Sequence, residues 1–264
     1  MAAWSPARHT QLLRQTKLNN HLIMQSNTDN AFAYWDGDDH LRIADFVGEW
    51  QAAFPAFRVF GNQDVYPLLD KYSPRHVDLF KAMRLPSAKS DVARLLLLYE
   101  LGGLYIDCHF GLRSRSGIDD IFRKLEEGLE LIVVDRARSI APRPIDEYYF
   151  INGVIFARSG CPLLLMCAFQ ALANLECHRT FERLWGHTNY HVAMLSGPSV
   201  LTSMLLDPRY VTRSLRTKIR PDYAERLAVI PEESIPMVRN VHSSYRVDGR
   251  HWSERQLTEK LFEE

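Results

Sequence analysis

No run of apolar residues in the sequence approaches the roughly 20 that a membrane-crossing helix needs. The opening MAAWSPARHTQLLRQ also lacks the charged head and apolar stretch of a secretory leader. Both absences point to a cytoplasmic protein without a transmembrane segment, although a secretion route independent of a signal peptide stays open. An excess of one charge is missing as well. Lys and Arg together number 32, and so do Asp and Glu, so no overall basic field exists to draw nucleic acid or an anionic membrane. Cysteine is scarce: Cys108, Cys161, Cys167 and Cys177 form no C-x-x-C pair. A chain of 264 residues is long enough to bury a core without disulfide staples, so the four read as reduced thiols rather than a zinc site. Repeats, low-complexity tracts and long linkers are absent too, and residues 1–264 are expected to form a single domain.

What is present alternates between strand and helix signals, which argues for a mixed α/β sheet flanked by helices, helix-rich overall. AFAYWD (Ala31–Asp36) is a short strand, ended by the turn-rich DGDD. LRIADFVGEWQAAF has apolar residues at helical spacing and stops before Pro55. Ser87 is placed to cap a helix running to Leu101, with Gly102 and Gly103 as its exit and LYIDCHF as the strand that follows. LELIVVD (Leu129–Asp135) and YFINGVIFA (Tyr149–Ala157) are further strands, separated by a proline-containing surface loop. CPLLLMCAFQALANLE reads as an apolar helix with Pro in its first turn. LAVIP and MVRNV are strands, and SERQLTEKLFEE is an amphipathic helix begun by Ser253. The basic stretch Arg209–Arg220 reads as a solvated helix face.

One stretch carries chemistry: SDVARLLLLYELGGLYIDCHF, Ser90 to Phe110. Asp91 and Arg94 share a helix face with Ser90 beside them. The apolar residues that follow imply a helix packed on most sides, where charge must be paired. Asp107 and His109 alternate with Cys108 and so project from one face of the strand. The outgoing end of a strand is where open α/β sheets collect ligands. The blander readings are a structural ion pair for Asp91 and Arg94, a solvent-facing strand end for Asp107 and a non-ligand role for His109.

These residues resemble a known family, the glycosyltransferases with a DXD sugar-binding motif. Its members include yeast-type mannosyltransferases, capsular polysaccharide enzymes and the catalytic domains of clostridial glucosylating toxins. The pattern S-D-x-x-R then L-Y-x-x-G-G-x-Y-x-D-x-D is matched by Ser90, Asp91, Arg94, Leu98, Tyr99, Gly102, Gly103, Tyr105 and Asp107, with His109 where the second Asp is expected. AYWDGDD, FINGVIFARSGCPLL, LSGPSVLTSML and NVHSSYRVDGRHW are similar to later family segments. The family's opening strand, of the type IPKIIHQIW, finds no counterpart, HLIMQSN (His21–Asn27) being the nearest apolar run.

The resemblance implies a GT-A fold, the Rossmann-like nucleotide-sugar-binding type. It implies transfer of a hexose from a nucleoside diphosphate sugar to an acceptor hydroxyl on a polysaccharide, glycolipid or protein, with retention of configuration and help from a divalent cation. Asp91, Arg94 and Asp107 would be the catalytic set. Ser90, Tyr105, Asn152 and Trp252 would bind substrate. Asp107, His109 and His242 would hold the metal, Mn or Mg by family, although imidazole at His109 also admits other metals or none. The loop Arg136–Glu147 and the region Trp185–His191 are candidates for acceptor recognition. The same substitution at His109 supports a rival expectation, a catalytically silent nucleotide-sugar-binding module. A two-His-one-carboxylate iron site from Asp107, His109 and His242 is disfavoured by the helix-rich composition.

Overall fold

The structure, a computed structural model, describes residues 30–37, 40–136, 150–206, 219–243, 246 and 251–263. In chain order the elements are β1 (Ala31–Tyr34), α1 (Ala44–Ala53), β2 (Arg58–Phe60), α2 (Asn62–Asp70), α3 (Pro74–Ala82), α4 (Pro86–Leu101), β3 (Gly103–Ile106) and β4 (Phe110–Leu112). Then come α5 (Arg115–Glu126), β5 (Leu131–Asp135), β6 (Phe150–Ala157), α6 (Pro162–Trp185), α7 (Val192–Leu195), α8 (Pro198–Leu205), β7 (Leu227–Pro231), β8 (Met237–Arg239) and α9 (Trp252–Arg255). The class is mixed α/β, a six-stranded sheet ordered β2-β1-β3-β6-β5-β7 and flanked by helices, with β4 and β8 as a separate antiparallel pair.

The sheet's strands are buried on both faces, and the period of two splits their side chains between two cores. Phe32, Tyr105, Leu131, Val133 and Ile155 face one core, built with α4 and α6. Ala33, Leu104, Ile106, Ile132, Val134 and Phe156 face the other, built with α1 and α5. α4 is buried almost all round because it lies between the sheet and α6, which is why Asp91 and Arg94 are interior residues. β1, β2 and β3 run parallel, β6 runs against β3 and β5, and β7 is parallel to β5. The outgoing ends of β1, β2, β3, β5 and β7 and the incoming end of β6 therefore share one edge. Asp107, Asn152, Trp35 and Arg136 all lie at or just beyond that edge.

Several expectations are corrected here. The strand expected through Phe110 ends at Ile106. Asp107 to His109 form a turn, closed by Phe110 N–H donating to the Asp107 carbonyl at 3.1 Å, so strand alternation does not set their directions. α4 starts at Pro86 after Leu85, and Ser87 does not cap it, because its hydroxyl is buried inside the first turn. The C-terminal helix is a four-residue segment, Trp252–Arg255, followed by turns that return Leu261 and Phe262 to the core. The apolar helix from Pro162 runs further than its apolar part, to Trp185. β1 lies parallel between β2 and β3 and leads into Trp35. A strand ending in Trp next to the Asp107 strand is thus supplied by AFAYW, and β2 is a further strand too short to show alternation. His21–Asn27 and most of Arg209–Arg220 lie outside the described residues.

The exit from α4 is sterically demanding. Gly103 has φ of 101°, and a Cβ there would stand 2.1 Å from the Asn30 carbonyl oxygen, which accepts the Leu104 N–H at 2.8 Å. Gly103→Ala should destabilise the protein by about 3 kcal/mol or more, from a backbone conformation that L-residues resist and a clash that would open the β1–β3 ladder. Gly48, mid-helix in α1 with nothing within 4 Å of its would-be Cβ, is the control. Gly48→Ala should be neutral or stabilise by up to about 1 kcal/mol. Chemical denaturation of the two variants checks this, and equal stability would contradict it.

Candidate functional site

α4 delivers Ser90, Asp91 and Arg94 on one face, pointed at the end of β3. The guanidinium of Arg94 is the hub. Its Nη2 lies 3.1 Å from Asp91 Oδ1 and its Nη1 lies 3.3 Å from Asp107 Oδ1. Its Nε and Nη2 also donate to the Ser90 carbonyl and hydroxyl, at 3.1 and 2.9 Å, and Nη1 donates to the Asn152 carbonyl. The ring of Tyr105 lies 4.8 Å from the guanidinium carbon, a distance at which ring and cation attract. Tyr105 donates its hydroxyl proton to Asp107 Oδ1 at 2.8 Å and lies 2.9 Å from the Ser90 hydroxyl.

β6 and α7 close the other side. Asn152 donates from Nδ2 to Asp91 Oδ1 at 2.7 Å, and Ser196 donates to Asp91 Oδ2 at 2.9 Å. Gly153 gives its carbonyl to the Asp107 N–H at 2.8 Å, and a Cβ on it would fall 2.6 Å from Asp107 Oδ2. Gly197 does the same for Asp91, with its would-be Cβ 3.1 Å from Oδ2. Six of the residues picked from the sequence (Ser90, Asp91, Arg94, Tyr105, Asp107 and Asn152) therefore form one hydrogen-bonded network. Within it Asp91 and Arg94 are 5% and 4% exposed, whereas the Asp107 side chain keeps 24% of its surface. The network is interior at one end and open at Asp107.

Charge follows this gradient. Burial pushes the Asp91 carboxyl up to about 6 against the opposing pull of Arg94, Ser196 and Asn152. Burial acts on Asp107 in the same direction, but Arg94, His109, Tyr105 and Arg239 together outweigh it and hold that carboxyl below its usual range. Burial, then Arg246, Arg239 and Arg94, against the pull of Asp107, lower His109 to about 4. Its imidazole is therefore neutral near pH 7 and brings a lone pair rather than a charge. Burial raises Tyr105 well above the usual phenol range, so it stays a donor.

The remaining predicted residues sit apart from this network. His109 lies in the turn beside Asp107, its ring 4.6 Å from that of Phe110. His242 hydrogen-bonds Glu49 of α1 and lies 5.9 Å from the Phe46 ring. Trp252 opens α9, packs against the core shared by α4 and α6, and has its ring 5.3 Å from that of His251. Among the described residues no group of three or more His, Cys, Asp and Glu has an arrangement suited to a metal ion. Asp107 and His109 alone, a carboxylate and a neutral imidazole side by side, fit an open site in which bound phosphate oxygens and water complete the shell.

Sequence reasoning missed several residues. Ser196 belongs to LSGPSVLTSML, a segment similar to one of the family's but given no role for its Ser. Lys89, next to Ser90, reaches Asp36 Oδ1 at 3.3 Å, and Asp36 accepts from Asn62, which in turn accepts from the Tyr34 hydroxyl at 2.6 Å. This second network adjoins Trp35 at the ends of β1 and β2. Arg239, in β8, was read only as part of a strand.

Comparison with known proteins agrees with the motif. Residues 14–123 match the family model described as glycosyltransferase sugar-binding region containing DXD motif, the family that Ser90 to His109 resemble. Asn152, His242 and Trp252 lie outside the matched stretch. The chain is similar to a solved structure described as PaToxG Glycosyltransferase, at 15% identity over 76% of this chain and 79% of that one, with a TM-score of 0.39. It is also similar to the ligand-free glycosyltransferase domain from the YGT toxin, at 10% identity over 56% of this chain and 49% of that one, with a TM-score of 0.36. No curated protein sequence matches the chain. No helix among the described residues is long and apolar enough to cross a membrane.

The two carboxylates should be separable by pH. Asp91 binds its proton more tightly folded than unfolded. Its contribution to stability is fully present below the ordinary carboxyl value of 3.8 and is lost as pH rises through about 6. The Asp107 contribution has the opposite sign, present above the ordinary value and lost as pH falls through its lowered one. Between about pH 4 and 6.5 the Asp91→Asn variant should therefore lack a decline in unfolding free energy that the wild type shows. Denaturant titrations at half-unit pH steps read the two slopes, and identical slopes would contradict the assignment.

Proposed function

We propose that the protein is a glycosyltransferase that moves a hexose from a nucleoside diphosphate sugar to an acceptor hydroxyl. The observation that carries this is the convergence of Ser90, Asp91, Arg94, Tyr105, Asp107 and Asn152 on the outgoing end of β3, the first five of them inside residues 14–123 matched by the sugar-binding family model. A buried Asp fixed by Asn, Ser and Arg presents its remaining acceptor capacity in a defined direction, which suits sugar hydroxyls. Arg94 and the open face of Asp107 suit the diphosphate end, where charge builds as the sugar–phosphate bond breaks. Trp35, at the end of β1, offers an aromatic face for the base.

Asp107 and His109 would hold a divalent cation against the diphosphate, and such an ion, when bound, supplies charge neutralisation to the leaving group. The protein's own residues do the rest. Arg94 locks both carboxylates, Tyr105 and Ser90 fix the orientation of Asp107, and Gly153 leaves room for its Oδ2. Both carboxylates are committed to Arg94, so neither stands as a base for the acceptor hydroxyl, which favours retention of configuration over inversion. The acceptor is a polysaccharide, glycolipid or protein presented across the strand-end edge.

A second reading, a nucleotide-sugar-binding module without turnover, is favoured by His109 standing at the second acidic position. Donor hydrolysis separates the two. Purified protein incubated with UDP- and GDP-hexoses and Mn or Mg should release nucleoside diphosphate, and Asp107→Asn should lower that release by about 100-fold or more while the variant stays folded at the assay temperature. His109→Asp should raise the dependence on Mn. Binding without release in the wild type supports the module, and full activity in Asp107→Asn would overturn the role given to the strand end.

A further inference from the structure

Arg239 is a charged residue of this edge that the motif does not account for. It closes β8 in register with Phe110, the residue after His109. Its guanidinium carbon lies 5.8 Å from the centroid of the Phe110 ring, and the His109 ring lies 4.6 Å from that same ring. Glu232, just past the end of β7, holds it by an ion pair of 2.7 Å, and 27% of its side chain is exposed. Two more guanidiniums gather here from other parts of the chain. Arg136 follows the last residue of β5, and Arg246 follows β8. Burial and these two neighbours lower the Arg239 pKa against the pull of Glu232 and Asp107. Arg246 acts on His109 as well. Arg94, Arg239 and Arg246 thus all act on the turn that carries Asp107 and His109, and Arg136 stands at the end of β5 on the same edge, against the carboxylates of Asp91, Asp107 and Glu232. His109 stands where a D-x-D turn has its second acid, so this edge has one carboxylate fewer with which to attract a cation. A convergence of arginines at a strand-end edge suits an anion with several oxygens, because each planar fork grips two of them.

We propose that Arg239 is a diphosphate-binding residue of the donor site, with Arg136 and Arg246 forming the outer part of the same anion-binding rim. The proposal rests on the nucleotide-sugar reading above and adds a consequence to it. Part of the neutralisation assigned to a divalent cation is done by guanidinium groups, so the protein retains affinity for a nucleoside diphosphate when metal is removed.

Calorimetric titration of the full chain with UDP, GDP, UMP and GMP, each in EDTA and in Mn, tests this. The wild type should bind UDP or GDP in EDTA. Arg239→Gln should weaken that binding about tenfold or more, with the matching monophosphate affected much less. Arg239→Lys, which keeps the charge and loses the fork, should fall between. Glu232→Gln releases Arg239 from its ion pair and should bind the diphosphate at least as tightly as wild type, a result that a merely structural pair does not give. Weaker binding by Glu232→Gln together with a lowered melting temperature would overturn the proposal, and so would equal binding by wild type and Arg239→Gln in EDTA. Wild-type binding that requires Mn and is then unaffected by Arg239→Gln removes the rim and leaves the donor site standing. Failure of the wild type to bind any of the four nucleotides, with or without Mn, removes the donor reading itself.

Discussion

The site depends on one buried cation. Arg94 has its charge inside the protein between a helix and the end of the central sheet, and an interior guanidinium survives there only with its hydrogen bonds and counter-charge supplied. Asp91, Asp107, Ser90 and the Asn152 carbonyl supply them, from α4, β3 and β6. Together with the Ser90–Tyr105 and Asn152–Asp91 hydrogen bonds, Arg94 fixes how α4 meets the strand ends. It also leaves the two carboxylates unequal. Asp91 is sealed in, with its carboxyl raised by burial, and Asp107 is partly open, with its carboxyl held ionised. One residue thereby holds two acids at different depths, Asp91 in the interior and Asp107 at the open end.

The fold adds a second constraint. Parallel strands place their outgoing ends on one edge, and the reversed β6 brings its incoming end to the same place. Residues far apart in sequence (Trp35, Lys89, Asp107, Arg136, Asn152 and Glu232) thus come to one rim. Glycine permits the approach at two points, Gly153, where a Cβ would collide with the Asp107 carboxylate, and Gly197, where it would meet the Ala193 backbone and crowd Asp91. This concentration of polar groups at strand ends is the general reason that ligands are found there in open α/β sheets.

Much of this was legible in the sequence where a physical rule has a short range. The three-residue spacing of Asp91 and Arg94 and the Gly pair after Leu101 are local signals that singled out this helix–turn–strand unit, and the family resemblance added Tyr105 and Asn152 to the network. Rules of longer range failed. Strand alternation was carried one turn too far, because nothing in IDCHF reveals that Gly153 takes the Asp107 N–H and turns the chain. His242, which the resemblance turns toward the metal, hydrogen-bonds Glu49, nearly two hundred residues earlier in the chain, a partner no local pattern announces. Arg239 carried no motif and Ser196 no assigned role, since their positions come from the β4–β8 pairing and from a helix that arrives late in the chain. β2 was overlooked because a three-residue strand announces itself only through its neighbours.

The most direct measurement is a crystal structure of the protein soaked with a UDP- or GDP-hexose in the presence of Mn. The account predicts the diphosphate at the outgoing end of β3, within hydrogen-bond reach of Asp107 or its bound cation and of Arg239, with the hexose toward Asp91 and Asn152. A nucleotide sugar bound elsewhere on the protein, with the Asp91–Arg94–Asp107 network untouched, would contradict it.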